Sequence, residues 1–129
     1  TGICRGSQFG CVLSGGELYQ HTTGHGLRHR HGMITEDGRT FQVSSTHHQM
    51  MAVKYTNHTL VAWADNKLSD QYLSSTNLPP PDKEPEIVYF HDTKFLSVQW
   101  HPEYMTDDEP GKAYYYEVLE EYIPILRAK

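Results

Sequence analysis

The segment Gly2-Ile3-Cys4-Arg5-Gly6 constrains this chain more than any other. A glycine two residues before and two residues after a cysteine marks a sharp strand-to-helix turn, where flanking residues without side chains let the backbone double back. A thiol at a helix start meets free N–H groups and the positive end of the helix dipole, both of which favour thiolate. The N–H of Arg5 would then face the oxyanion formed when Cys4 attacks a carbonyl. The alternative at such a position is a small buried side chain without chemistry. That reading suits Cys11, which lacks the glycine flanks.

A second segment, Gln99-Trp100-His101-Pro102-Glu103, supplies the groups a thiol nucleophile needs. Pro102 keeps His101 out of helical conformation and stiffens the turn that carries it. Glu103 can bend back to accept the ring N–H and fix the tautomer. Alone, a strand-end histidine is a solvated surface group. With Cys4 it completes the order nucleophile, base, orienter, the requirement for acyl transfer through a thioester.

The 129 residues fit one domain with a real core. No apolar run approaches the roughly 20 residues that span a bilayer, and Thr1 to Gly10 lacks the basic start and apolar centre of a signal peptide. A net charge of −5, with 11 Lys and Arg scattered along the chain, argues against a phosphate-gripping surface. No nucleic-acid or membrane partner is therefore expected. Cys4 and Cys11, if both lie on one helix, stand about 10 Å apart along its axis, too far for a disulfide. Free thiols and a cytoplasmic location are the expectation.

Periodicity predicts a helix over 6–13 with Phe9, Val12 and Leu13 as its apolar face, stopped by Gly15-Gly16. Residues 17–39 read as loops around short strands. Strands are predicted over 40–44 and 51–55, then hairpins of 60–64 with 68–73 and of 86–90 with 95–99. The proline-rich stretch 78–85 reads as an extended surface connection. A final helix begins near Pro110, with Ala113, Tyr116, Leu119, Tyr122, Ile123 and Leu126 as its apolar stripe and Pro124 as a kink or stop.

Gly-Ile-Cys-Arg-Gly-Ser-Gln at 2–8 and Gln-Trp-His-Pro-Glu at 99–103 resemble the class I glutamine amidotransferases. Arg5, the run Gly15-Gly16-Glu17-Leu18-Tyr19-Gln20 and His47-His48-Gln49 look closer to the γ-glutamyl hydrolase and γ-glutamyl-γ-aminobutyrate hydrolase branch. The resemblance implies a flavodoxin-like α/β fold and a Cys-His-Glu triad of Cys4, His101 and Glu103. It also implies a substrate side lined by Arg5, Gln8, His47 and His48, and no cofactor. The activity implied is hydrolysis of glutamine or another γ-glutamyl amide, with ammonia released or passed to a synthase partner. In that family the elbow lies near mid-domain, after several strands and a glycine-rich turn. Residues 1–129 are therefore expected to form the C-terminal part of such a domain, with the N-terminal half missing or supplied by a partner.

Two other readings stay open. Nine histidines, among them His21, His25, His29, His31, His47 and His48, invite a metal site, but glycines and threonines interrupt any helical spacing and no recognised zinc pattern lies nearby. No metal is expected. The other reading is a truncated or degenerate amidotransferase-like domain that binds or regulates without catalysis. Tyr114-Tyr115-Tyr116 reads as helix packing with exposed rings.

Overall fold

In the computed structural model, residues 1–19, 21–22, 30–44, 49–65, 72–73 and 81–127 are described. The chain starts in strand β1 (Gly2–Ile3) and turns at Cys4 into helix α1 (Arg5–Leu13). Short strands β2 (Glu17–Tyr19) and β3 (His21–Thr22) precede β4 (Arg30–Thr35), β5 (Thr40–Ser44), β6 (Met50–Ala52) and β7 (His58–Ala64). Then come β8 (Tyr72–Leu73), β9 (Pro85–Phe90), β10 (Phe95–Val98), a 3-10 turn over Pro102–Tyr104 and helix α2 (Pro110–Arg127).

Six strands form one mixed sheet in the order β1-β10-β9-β7-β4-β5, while β2 pairs with β6 and β3 with β8. Only β1 and β10 run parallel in the six-stranded sheet. The architecture is thus α/β, with more antiparallel pairing than a doubly wound sheet would have. β9 is buried at every position because both its faces are covered. Its Ile87 and Tyr89 join the main core with Met33, Val98 and Trp100, against Tyr114, Val118 and Tyr122 of α2. Its Val88 and Phe90 face the other way, against Cys11 of α1 and Met51. The two helices therefore cap opposite faces of the sheet.

Both helices form where the periodicity places them, but α1 buries a different face, and α2 keeps Tyr122 and Leu119 of the expected stripe against the core while turning Ala113 and Tyr116 outward. On α1 the buried residues are Ser7, Gln8, Gly10 and Cys11, whereas Phe9, Val12 and Leu13 are 64%, 51% and 58% exposed. Small residues win because the helix lies very close to the sheet: a Cβ on Gly10 would stand 2.1 Å from the Phe95 ring. On α2 the buried line is Gly111, Tyr114, Val118 and Tyr122, while Tyr116 is exposed. The helix runs through Pro124 to Arg127. Proline removes the hydrogen bond to the residue four back, here the exposed Glu120, whose carbonyl water can reach.

One other expectation is corrected. β7 and β8 do not form a hairpin; β7 pairs with β9 and β4, and β8 pairs with β3. The short strands expected within 17–39 include β2, β3 and β4, of which β4 joins β5 and β7 inside the sheet. The expected second hairpin is present, with Phe95 opposite Phe90 and Val98 opposite Ile87.

Candidate active site

Cys4 occupies the turn between β1 and α1 with φ 51° and ψ −106°, a conformation that a side-chain-bearing residue adopts at a cost and that marks functional turns. The turn is held from three sides. The N–H of Cys4 donates to the Val98 carbonyl at 2.7 Å, and the N–H of Gln8 donates to the Cys4 carbonyl. The Ser97 hydroxyl donates to the Ser7 carbonyl at 2.9 Å, tying the first turn of α1 to β10. Gly2 is required sterically, because a Cβ there would lie 2.4 Å from the backbone of Gly6. Gly6 is not: a Cβ on it would meet nothing within 4 Å.

His101 follows β10 by three residues, so it leaves the same end of the sheet as Cys4. β1 and β10 are parallel neighbours, with Ile3 opposite Val98, and ligands of open α/β sheets gather at such strand ends. The imidazole Nδ1 hydrogen-bonds to Glu103 Oε1, which leaves proton transfer to the other ring nitrogen, Nε2. Tyr104 stacks on the ring at 4.5 Å between centroids. The backbone of His101 is gripped by Ser44 at the end of β5: the His101 N–H donates to the hydroxyl at 3.0 Å, and the hydroxyl donates to the His101 carbonyl at 2.9 Å.

Burial pushes the Cys4 thiol above its ordinary value; the Arg5 N–H and guanidinium work against this, and the charges of Glu103 and Glu86 add to it. The helix start therefore helps the thiolate, as the sequence implies, but desolvation wins. A nucleophile held this way depends on a base to take its proton, and His101 is the imidazole leaving the neighbouring strand.

The other expected residues divide. Gln8 is 5% exposed, and its amide N–H donates to the Gln49 carbonyl at 3.0 Å, so it fastens α1 to the segment before β6. Arg5 is exposed. His47 and His48 lie outside the described residues. Of the histidines considered as metal ligands, His31 alone has a described side chain, and its Nε2 stands 3.2 Å from Glu86 Oε1. No group of three or more His, Cys, Asp or Glu able to hold a metal occurs among the described residues. Cys4 and Cys11 are both free thiols, and burial raises the Cys11 thiol to about 12.

The family model for Glutamine amidotransferase class-I matches residues 1–120. The chain belongs to this family. Among solved structures it is similar to a GMP synthase subunit from Thermoplasma acidophilum, with TM-score 0.63 and 16% identity. The match covers 98% of this chain and 56% of the other, and at that identity it is a likeness of fold. No curated protein matches the chain.

Within this amidotransferase domain a cavity of about 340 Å³ lies away from the Cys4 end, between β2, β6 and the start of β7, beside Pro81 and Lys83. Neither Cys4 nor His101 lines it, so the strand-end cluster is the candidate active site. Sequence reasoning missed Ser44 and Tyr104 there, as well as Glu86 further along the sheet, and named its partner His31 only as a candidate metal ligand. Glu86 carried a usable signal, a carboxylate inside the strand Pro85–Phe90, where every position is buried.

Proposed function

We propose that this domain carries the nucleophile, base and orienter of a cysteine-dependent γ-glutamyl amide hydrolase. The observation that supports this most is the pairing of a strained Cys4 at the end of β1 with a Glu103-oriented His101 just beyond the adjacent, parallel β10. His101 takes the Cys4 proton and the sulfur attacks the γ-carbonyl, forming a C–S bond and an oxyanion. The Arg5 N–H, beside the sulfur, is placed to stabilise that oxyanion. Collapse breaks the C–N bond, and ammonia or amine leaves with the proton from His101. Water, giving a proton to His101, then cleaves the thioester and restores the thiol. Gln8 and Arg5, with His47 and His48, are proposed to frame the substrate, Gln8 through its hold on Gln49.

We infer further that the domain works beside additional α/β structure or a synthase partner receiving ammonia, in a cytoplasmic setting that keeps both thiols reduced. Two observations favour added structure. β1 ends the six-stranded sheet, with β10 its sole neighbour among the described strands, and the stripe Phe9, Val12, Leu13 presents apolar surface beside that edge.

The test is capture and turnover in the complete assembly. A glutamine-directed diazo-ketone should label Cys4 stoichiometrically, and Cys4→Ala should abolish both labelling and release of ammonia from glutamine, a loss of at least about 10³-fold. Retained hydrolysis in Cys4→Ala would refute the reading. Labelling of Cys4 and Cys11 alike, and only after denaturation, would favour a non-catalytic module.

A further inference from the structure

His101 makes one contact that the mechanism above does not use. It is followed by a 3-10 turn over Pro102–Tyr104, and in such a turn residues three apart eclipse one another. The Tyr104 N–H donates to the His101 carbonyl at 3.2 Å. The same geometry lays the Tyr104 ring on the imidazole, with centroids 4.5 Å apart and planes 19° from parallel. One tight turn thus gives the proposed base a carboxylate at its edge, from Glu103, and an aromatic face from Tyr104.

Core packing does not account for that ring. Tyr104 is 62% exposed, whereas Pro102 and Met105 on either side of it are buried, and Met105 anchors the turn in the main core. The backbone beneath the ring is nonetheless held from two other elements. Arg30 of β4 donates to the Tyr104 carbonyl at 3.4 Å and to Glu109 at 2.8 Å, and Glu109 in turn accepts from the Thr106 N–H. Lys112 of α2 donates to the Met105 carbonyl at 3.1 Å. A ring fixed in this way limits the rotation of the imidazole and covers one of its faces. It also attracts the cation that the imidazole becomes on taking a proton, because the face of an aromatic ring is negative.

The state of Cys4 gives that attraction a use. Burial pushes its thiol up, so a thiolate–imidazolium pair has to be favoured from the imidazolium side. The charged groups acting on Cys4 are Arg5 from α1, Glu103 from the 3-10 turn and Glu86 from β9, and Glu103 is the carboxylate paired with His101. We propose that Tyr104 is a positioning residue for the base: stacked on His101, it holds the imidazole in one orientation and stabilises the imidazolium formed when the proton passes from Cys4 Sγ to His101 Nε2. This role rests on Cys4 and His101 as the reacting pair. It needs the aromatic face and not the hydroxyl, so phenylalanine should serve at position 104 and leucine should not.

The test reads thiol chemistry rather than amide hydrolysis. Iodoacetamide capture of Cys4 is followed at pH 7 in the intact protein and in Tyr104→Phe, Tyr104→Leu and His101→Ala, with buried Cys11 as the silent thiol. Capture in Tyr104→Leu should be about two- to fivefold slower than in the native protein, the size of one exposed cation–π contact. Tyr104→Phe should keep the native rate. Raising the pH until the thiol ionises without a base should bring the leucine variant back to the native rate, a recovery that a disturbed fold would not show. Equal rates in the leucine and phenylalanine variants at pH 7, whether native or slow, would overturn the proposal. If His101→Ala slows capture and Tyr104→Leu does not, the Cys4–His101 pairing stands and the role of Tyr104 alone is refuted; if His101→Ala leaves capture unchanged, both fall. A second measurement needs no variant: the carbon-bound ring protons of His101 in the native protein should resonate upfield of free imidazole through the ring current of Tyr104. Unshifted resonances would mean that the rings are not stacked, and would overturn the proposal whatever the folding of the variants.

Discussion

Gly2 and Gly6 look equivalent in the sequence but have separate work to do. β1 and α1 approach so closely that a methyl on Gly2 would lie 2.4 Å from the carbonyl carbon and oxygen of Gly6, and backbone atoms cannot swing aside as a side chain can. Gly2→Ala should therefore destabilise the fold by roughly 1–3 kcal/mol, the usual range for forced overpacking. It should also displace the Cys4 turn, slowing capture of Cys4 by a diazo-ketone. Gly6 has open space around its Cβ direction and sits inside α1. Gly6→Ala should then raise stability by about 0.5–1 kcal/mol through the lost backbone entropy of glycine in the unfolded chain. Urea unfolding of the two variants side by side checks both signs. A loss of stability in Gly6→Ala would show that the turn needs glycine on both flanks after all.

At the scale of elements, β5 positions the proposed base although it stands at the far edge of the sheet from β1. Its last residue, Ser44, is 3% exposed and holds both the N–H and the carbonyl of His101. Ser44→Ala leaves those two backbone groups without their partner, which should cost about 1–3 kcal/mol. Because the substrate itself is not touched, kcat should fall more than KM rises. Steady-state kinetics on the complete assembly separates the two, and a change confined to KM would argue against a positioning role. Such a bond, between residues 57 apart, is invisible to local pattern. What the sequence did make legible are features with short-range causes: the turn at Cys4, the helices starting after it and at Pro110, strand β5, the β9–β10 hairpin, and the His101–Glu103 contact two residues apart. The face of α1 was misread because periodicity counts apolar residues and not the available space. On α1 the close approach of Gly10 to Phe95 selects small residues for burial and turns Phe9, Val12 and Leu13 outward. The sheet order, with β9 between β10 and β7, was likewise closed to local reading, since it depends on which strand edges meet after collapse.

For the whole molecule, two sets of ionic contacts pull stability in opposite directions along the pH axis. Bonded to Arg39 and then to Thr35, Asp37 is held down to about 2. Glu109, bonded to Arg30 and to the Thr106 N–H, is also held at about 2, and Arg39 lowers Glu117 as well. These contacts fasten α2 and its approach to β4 and to the turn after it. Carboxylates depressed in the folded state stabilise it above their unfolded values near 4, and that stabilisation is lost as pH falls through the folded values. His31 has the opposite sign: its folded value is raised, through Glu86 against the opposing effect of burial. Its contribution is complete below the unfolded value near 6.5 and is lost as pH rises through the folded one. The buried pair is the less screened of the two sets, since its side chains are 6% and 0% exposed, whereas Asp37 and Glu117 are each 54% exposed. Thermal unfolding followed from about pH 2 to 9 should thus show greatest stability between about pH 5 and 6.5, with a decline on the acid side and a separate one on the alkaline side. Glu86→Gln should remove the alkaline decline while leaving the acid one in place. If the alkaline decline survives in that variant, the proton lost there does not belong to His31.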